Sequence, residues 1–262
     1  MYIDTMFPDE LDNYVEANAQ TDTGPVAVLP IGSVEQHGPH LMLGTDGFNA
    51  LTLATMTAKK LNAVLLPMVP FSWIGGLRPF AGTIDIRPLI SGEYMEQIGF
   101  NISRWGFKKL VIINTHGGGR EMVYTVARRL VKKTGLHVIT TYPSKIVDNW
   151  PEIEKTWADR GVPFDWGVFE ASSLVSSLKY LKQDAAVDKV LQNHKDALAE
   201  FGEDVDIPSQ PGLHAAFRLG EIGHDYTHEC MHARPKKPMH PDIALATQEL
   251  MADKLVWGVH NG

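Results

Sequence analysis

Short apolar runs alternate with longer amphipathic stretches between residues 24 and 142. The apolar runs predict buried strands, and the stretches with one apolar face predict helices. The predicted strands are Val26–Ile31, 63–69, 110–113 and His137–Thr141. The predicted helices between them are 48–60, 88–105 and 121–133. This alternation indicates βαβ crossovers, so we expect an α/β protein with a mainly parallel sheet covered by helices on both faces.

The remainder of the chain is less regular. Residues 70–87 are rich in Gly, Pro and Trp and predict a loop, whereas 171–181 and 241–256 predict helices. A His-rich segment, about 203–240, predicts irregular structure. No internal repeat or linker-like stretch divides the 262 residues, so we expect a single domain.

Acidic and histidine side chains follow two of the predicted strands. Glu35, His37 and Asp46 come after the first strand, and His116 comes directly after the third. Ligands of open parallel sheets bind at the carboxyl ends of the strands, so these side chains are expected to converge. Imidazole nitrogen together with carboxylate oxygen suits Zn²⁺, Mn²⁺ or Fe²⁺.

Each cluster alone also has a purely structural explanation. His37 can be an ordinary loop histidine, and Asp46 can cap the helix that follows it. A single Glu-x-His pair is therefore weak evidence for a metal. Two clusters at one sheet edge strengthen the metal interpretation.

Four segments, in chain order, resemble motifs of the creatininase (creatinine amidohydrolase) family. The longest runs Leu-Pro-Ile-Gly-Ser-Val-Glu-Gln-His-Gly-Pro-His-Leu over 29–41 and continues with Gly-Thr-Asp at 44–46. The others are Pro-Phe-Ala-Gly-Thr at 79–83, Asn-Thr-His-Gly-Gly at 114–118 and Gly-Val-Phe-Glu-Ala-Ser at 167–172. The resemblance covers roughly residues 24–180 and the C-terminal helix.

The resemblance implies a three-layer α/β/α fold, two divalent metal ions (Zn, Mn or Fe) per subunit and a homo-oligomer, often a hexamer. By the same resemblance, Glu35 and His116 bind one ion and His37 binds the other. Asp46 is expected to bridge the two.

The chain departs from the family pattern at a further metal ligand. Creatininase has a glutamate two residues after the histidine that follows the third strand, and here that position is Gly118. Glu170 is the natural replacement, as both metal ligand and catalytic residue. Glu121 is a weaker candidate, because it lies inside the next predicted helix.

A second departure concerns the proton donor. Asp165 stands where creatininase has a catalytic histidine, and an aspartate donates a proton only if its pKa is raised. Together with the altered loop, this argues against creatinine as substrate. The expected substrate-binding residues are Trp73, Arg78, Thr83, Gly117, Gly118 and Trp166. Alternatively, Arg78 lies on the surface and the two tryptophans pack in the core.

Charge and cysteine content limit the partners. The net charge is −7, which disfavours nucleic-acid binding. Cys230 is the single cysteine, and the first ten residues lack the basic and apolar regions of a signal peptide. No apolar run approaches the roughly 20 residues of a membrane span. We therefore expect a cytoplasmic protein without a membrane partner.

Three histidines, His224, His228 and His232, are spaced four residues apart. If the segment is helical they share one face, as a third metal site would require. A solvated or subunit-facing helix surface is the favoured interpretation.

These residues favour a metal-dependent hydrolase that opens a small polar cyclic substrate, first of all at a cyclic amide C–N bond. An alternative is hydrolysis of a C–C bond in a cyclic 1,3-diketone, as in the 3-dehydro-scyllo-inosose hydrolases. A third hypothesis is a non-catalytic metal-binding protein, suggested by the aspartate at the position of the catalytic histidine.

Overall fold

Four parallel strands form one sheet in the order β2-β1-β3-β4. The computed structural model describes residues 1–38, 40–75, 77–78, 80–141, 151–201 and 237–261. The strands are β1 (Val26–Ile31), β2 (Val64–Leu65), β3 (Lys109–Asn114) and β4 (His137–Thr141). The helices are α1 (Pro8–Asn18), α2 (Thr45–Leu61), α3 (Pro88–Arg104), α4 (Arg120–Thr134), α5 (Pro151–Ala158), α6 (Trp166–Tyr180), α7 (Asp184–Phe201) and α8 (Pro241–Asn261). In these ranges no helix combines the length and apolar character needed to cross a bilayer.

Alternate side chains of each strand enter two separate apolar layers. In β1, Val26 and Val28 pack with helices α2, α5, α6 and α8, whereas Ala27 and Leu29 pack with α1, α3 and α4. Successive strand residues point to opposite faces, so a fully buried strand must be apolar throughout. The expected α/β/α architecture with a parallel sheet is confirmed.

The structure differs from the sequence prediction mainly at element ends. The predicted strand 63–69 pairs with β1 only at Val64 and Leu65, because Pro67 interrupts it without an N–H to donate. Beyond it the chain returns to the sheet at Val69, which bridges Ile31. Helix α6 begins at Trp166 rather than at 171. Helices α1, α5 and α7 were not predicted.

The sheet changes direction of winding at β1. This strand pairs with β2 on one side and β3 on the other, so the segments that leave β1 and β3 diverge and open a crevice at their carboxyl ends. Gly32 follows β1 directly, and a Cβ there would lie 2.5 Å from the Cα of Gly47. Because neither residue has a side chain, the first turn of α2 lies directly against the end of β1.

Candidate metal centre

Three buried ligand side chains meet at the carboxyl ends of β1 and β3. Glu35, Asp46 and His116 are only 2%, 3% and 5% exposed. The Nδ1 atom of His116 lies 2.9 Å from Glu35 Oε1 and 3.3 Å from Asp46 Oδ2. Such buried carboxylates are stable only when they are paired or bound to a cation. One potential ligand atom from each residue lies within 4.8 Å of the other two, a spacing that suits a metal ion.

A second group of the same kind shares one carboxylate with the first. It consists of His37, Asp46 and the half-buried Glu170, again with ligand atoms within 4.8 Å of one another. Asp46 belongs to both groups. A carboxylate with two oxygens can hold one ion on each, so this arrangement fits a pair of ions bridged by Asp46.

Extended backbone after β1 presents Glu35 and His37 on the same side. The two residues are separated by one position, and alternate side chains of an extended segment point the same way. The Nδ1 atom of His37 lies 3.1 Å from the Glu35 carbonyl oxygen, which suits an Nδ1–H donor. The Nε2 atom is then the ligand. It lies 3.7 Å from Glu35 Oε1 and 3.6 Å from Asp46 Oδ2.

The start of helix α2 fixes Asp46 against the sheet. Gly44, not Asp46, is the N-cap of this helix, and Asp46 lies in its first turn. The Ser33 hydroxyl donates to Asp46 Oδ2 at 2.5 Å, and the Thr115 hydroxyl donates to the Asp46 carbonyl at 2.7 Å. The alternative that Asp46 serves as the helix cap therefore does not hold.

The side chain of Asn114 holds the turn that carries His116. Its Nδ2 donates to the His116 carbonyl at 2.8 Å, and its Oδ1 accepts from the His116 N–H at 3.2 Å. A Cβ at Gly118 would lie 2.5 Å from His116 Nε2 and 2.6 Å from the carbonyl oxygen of Ile74. No side chain fits at position 118, so a glutamate ligand there is excluded by the packing as well as by the sequence.

The pKa values show that this cluster favours a bound positive charge. Burial alone lowers the pKa of His116, but the carboxylates of Glu35 and Asp46 raise it to about 10. Burial raises the pKa of Asp46, yet His116 and His37 outweigh burial and hold it well below its ordinary value. The pKa of Glu35 is raised, chiefly by burial. A divalent ion would supply the charge that the proton on His116 supplies, and would displace it.

The donor atoms fit divalent transition metals. Two imidazoles and three carboxylates give the mixed nitrogen and oxygen ligands typical of Zn²⁺, Mn²⁺ or Fe²⁺. Within the described part of the chain, Glu35 Oε2 and His116 Nε2 have no hydrogen-bond partner although both atoms are buried. Such orphaned atoms beside a cluster of carboxylates are expected where an ion is missing from the atoms considered.

The other predicted catalytic residue, Asp165, has a structural role in this arrangement. Its Oδ1 accepts the Val168 N–H at 3.1 Å as the N-cap of α6, and its Oδ2 lies 3.8 Å from Lys237 Nζ. This cap starts the helix that carries Glu170. Asp165 is in neither ligand group of the described residues. The weaker ligand candidate Glu121 is exposed and pairs with Arg120 at 3.0 Å.

The predicted substrate-binding residues are only partly brought together. Arg78 and the glycines at 117 and 118 are exposed, whereas Trp73, Thr83 and Trp166 are half-buried. Trp166 stacks edge-on against Phe164 and Phe169, and Trp73 packs at the margin of the core. Thr83 Oγ1 accepts the Gln36 N–H at 3.1 Å, which joins the 80–86 loop to the ligand segment. The three histidines His224, His228 and His232 lie outside the described residues.

Sequence reasoning overlooked two residues that position the ligands. Ser33 precedes Glu35 by two positions, so the same alternation that joins Glu35 and His37 places Ser33 on their side. Asn114 ends β3 and precedes His116 by two positions. Both signals are present in the motifs, but hydroxyl and amide side chains draw less attention than ionisable ones.

The comparisons with known proteins agree with this geometry. A family profile described as creatinine amidohydrolase matches residues 12–199. A mycofactocin precursor peptide peptidase of Mycobacterium tuberculosis (strain CDC 1551) is 36% identical over 106 residues, covering 37% of this chain and 42% of that protein. A 3-dehydro-scyllo-inosose hydrolase of Thermotoga maritima is 25% identical over 177 residues, covering 62% of this chain and 53% of that protein. The chain thus spans about two fifths of the peptidase and half of the inosose hydrolase.

Solved structures show the same fold. A crystal structure of creatininase superimposes with a TM-score of 0.70 at 19% identity, covering 100% of this chain and 98% of that one. Creatininase structures that match at similar scores include a zinc–zinc form and a manganese form. Because the family profile covers more than half of its length, the chain belongs to the creatininase family.

Proposed function

We propose that this protein is a two-metal hydrolase that cleaves an amide C–N bond. The observation that carries the proposal is Asp46, which belongs to both ligand groups and is fixed between them by Ser33 and Thr115. One shared carboxylate between two three-ligand groups is the arrangement expected of a dinuclear hydrolytic centre.

Two divalent ions held in this way supply a water of lowered pKa and a positive charge for the oxyanion formed from the attacked carbonyl. The chain's own residues hold the ions at a fixed separation. Glu35 and His116 serve the first ion, His37 and Glu170 serve the second, and Asp46 serves both. Gly117 and Gly118 are exposed beside His116, and their lack of side chains lets a substrate carbonyl approach the centre.

Glu170 is also proposed to transfer the proton. Glu35 and Asp46 are buried, whereas Glu170 is half-buried, so its carboxylate faces the accessible side of the centre. One of its oxygens can accept the proton of the attacking water and deliver it to the leaving nitrogen. This assignment frees Asp165, whose two oxygens face the Val168 N–H and Lys237, from the role of acid.

Three members of the family support a C–N bond as the target class but differ in substrate. The peptidase relatives and creatinine amidohydrolase are named for acyclic and cyclic C–N bonds, respectively. We favour a small polar ring, as the sequence predicts, with Arg78, Trp73, Thr83 and Trp166 around it. A peptide bond is the nearest alternative of the same class.

C–C hydrolysis of a cyclic 1,3-diketone is the second candidate, and the position of Asp165 favours it. Cleavage between two carbonyls expels an enolate, whose charge the second carbonyl spreads, so no strong acid is needed at the leaving atom. Asp165 is engaged as a helix cap. The Thermotoga maritima relative is named for an inosose substrate.

The test is a hydrolysis screen with the purified protein loaded with Zn²⁺ or Mn²⁺. Lactams, short peptides and cyclic 1,3-diketones are offered with and without chelator, and Asp46→Ala is the matched inactive control. We expect turnover of lactams that chelator abolishes. Turnover of diketones alone would select the C–C reaction, and no turnover despite two bound ions would indicate a non-catalytic metal-binding protein.

We also propose that the chain forms a homo-oligomer, with the hexamer of the family as the expected form. Helix α3 exposes three large apolar side chains near its start, Leu89 at 80%, Ile90 at 49% and Tyr94 at 55%. Clustered apolar residues at this exposure are typical of subunit interfaces. Light scattering should give a mass several times that of the chain, and Leu89→Glu should reduce it.

A further inference from the structure

A chain of hydrogen bonds between side chains joins helices α2, α6 and α8. The Ser176 hydroxyl donates to Gln248 Oε1 at 2.8 Å, and Gln248 Nε2 donates to Ser177 Oγ at 2.9 Å. The Ser177 hydroxyl in turn donates to Asn49 Oδ1 at 3.0 Å. The chain therefore connects all three helices on one face of the sheet.

These polar side chains lie where apolar ones would be expected. Ser177 is 0% exposed and Gln248 is 2% exposed, between helices whose neighbouring residues belong to the apolar core. A buried polar group destabilises the fold unless it is hydrogen-bonded, and apolar residues of similar size would pack there at least as well. Such a network fixes one relative position of the three helices, because its bonds form in only one arrangement.

The network is in register with the ligands of the second metal group. Asn49 follows Asp46 by three residues on α2, and Ser177 follows Glu170 by seven residues on α6. Both spacings keep the paired residues on one face of their helix. The bond between Ser177 and Asn49 thus ties together the same two helix faces that present Glu170 and Asp46.

Asp46 has separate supports, which Ser33 and Thr115 provide from the sheet side. The first metal group, with Glu35 and His116, contains no residue of α6. Loosening α6 against α2 therefore affects the second group selectively.

We propose that Ser177 and Asn49 are positioning residues for the second metal ion. Their hydrogen bond sets the separation between Glu170 on α6 and Asp46 on α2, and through it the affinity for the ion that Glu170 binds. The proposal rests on the two-metal centre proposed above. It adds that a buried pair remote in sequence from the ligand motifs controls one of its two sites.

The test measures Zn²⁺ binding to the full chain by calorimetric titration after chelator treatment. The binding step that Glu170→Gln weakens identifies the second site. Ser177→Ala is expected to raise the dissociation constant of that step by about 10–100-fold, the usual effect of removing a residue that orients a ligand. The other step should change by no more than about twofold.

Ser176→Ala is the matched control. It removes the same hydroxyl from the adjacent, equally buried position of α6, but the lost bond joins α6 to α8 and not to α2. Both variants leave a buried group of the network unpaired, so both should lower the melting temperature. Only Ser177→Ala should weaken the second ion.

Asn49→Ala removes the same bond from the other helix and provides a variant independent of Ser177. It should reproduce the effect of Ser177→Ala on the second step, and the double variant should be no weaker than either single one. Equal weakening of both steps, unchanged binding, or an equal effect of Ser176→Ala would overturn the proposal. If the wild-type chain binds only one ion, the two-metal centre itself fails, which is a separate outcome.

Discussion

The two ligand groups share Asp46 but are assembled in different ways. Glu35 and His116 follow two neighbouring strands, which are paired in register up to Ile31 and Asn114. The sheet therefore brings the first group together. Glu170 instead comes from α6, a helix whose position depends on its cap at Asp165 and on packing against α2 and α8. The first group is thus fixed by backbone pairing, and the second by side-chain contacts between helices.

The largest expected effect follows from replacing the shared ligand. Asp46→Ala should remove both ions, because each group loses a carboxylate, and activity should fall by about 10³-fold or more. Elemental analysis of the purified variant measures the ions directly. Full metal occupancy would rule out the bridging role. Circular dichroism should show an intact fold, since α2 is capped at Gly44.

Glu170→Gln should separate the two groups. It is expected to lower the content towards one ion per chain and the activity by about 10²-fold, because a neutral amide binds metal poorly and transfers no proton. Glu121→Gln is the control: Glu121 is exposed and paired with Arg120, so metal content should not change. Two retained ions in Glu170→Gln would mean that another residue completes the second group.

The same contrast explains how much could be predicted from the sequence. Strand patterns and the motif around Glu35 and His37 predicted the sheet and the first group, because both depend on local periodicity. Glu170 was reached only through resemblance, since nothing local shows that α6 approaches α2. The tie between Asn49 and Ser177 was not predicted at all. Buried serines on a helix have no pattern of their own, and their partners become visible only after the helices are packed.

A smaller effect is expected at Asp165, where the bond-class question can be decided. Asparagine is also a good N-cap, so Asp165→Asn should preserve α6 and isolate any proton transfer. We expect a loss of less than about tenfold, because Asp165 already accepts the Val168 N–H and faces Lys237. A loss of roughly 10²–10⁴ would assign it the role of acid in amide cleavage.

Arg78→Ala is the companion measurement. A heavy loss of turnover in this variant, with little effect of Asp165→Asn, would favour the C–C reaction, in which Arg78 stabilises the enolate. Small effects of both would place the substrate elsewhere. The steady-state rates of both variants on the active substrate class decide between these outcomes.

Acidity provides the mildest perturbation and acts mainly on the first group. Because the pKa of His116 is raised from 6.5 to about 10 without metal, the ion must displace its proton. Affinity for that ion should therefore rise with pH between these values, by up to about tenfold per unit for one displaced proton. In chelated protein, the stability from protonated His116 is full below 6.5 and is lost as pH rises through about 10. Titrations and melting curves across this range measure both effects.

Anomalous diffraction from crystals soaked in Zn²⁺ tests the two-metal centre most directly. We predict two peaks per chain, one between Glu35 and His116 and one between His37 and Glu170, with Asp46 bound to both. A single peak, or a second peak not bound by Asp46 and Glu170, would contradict the account.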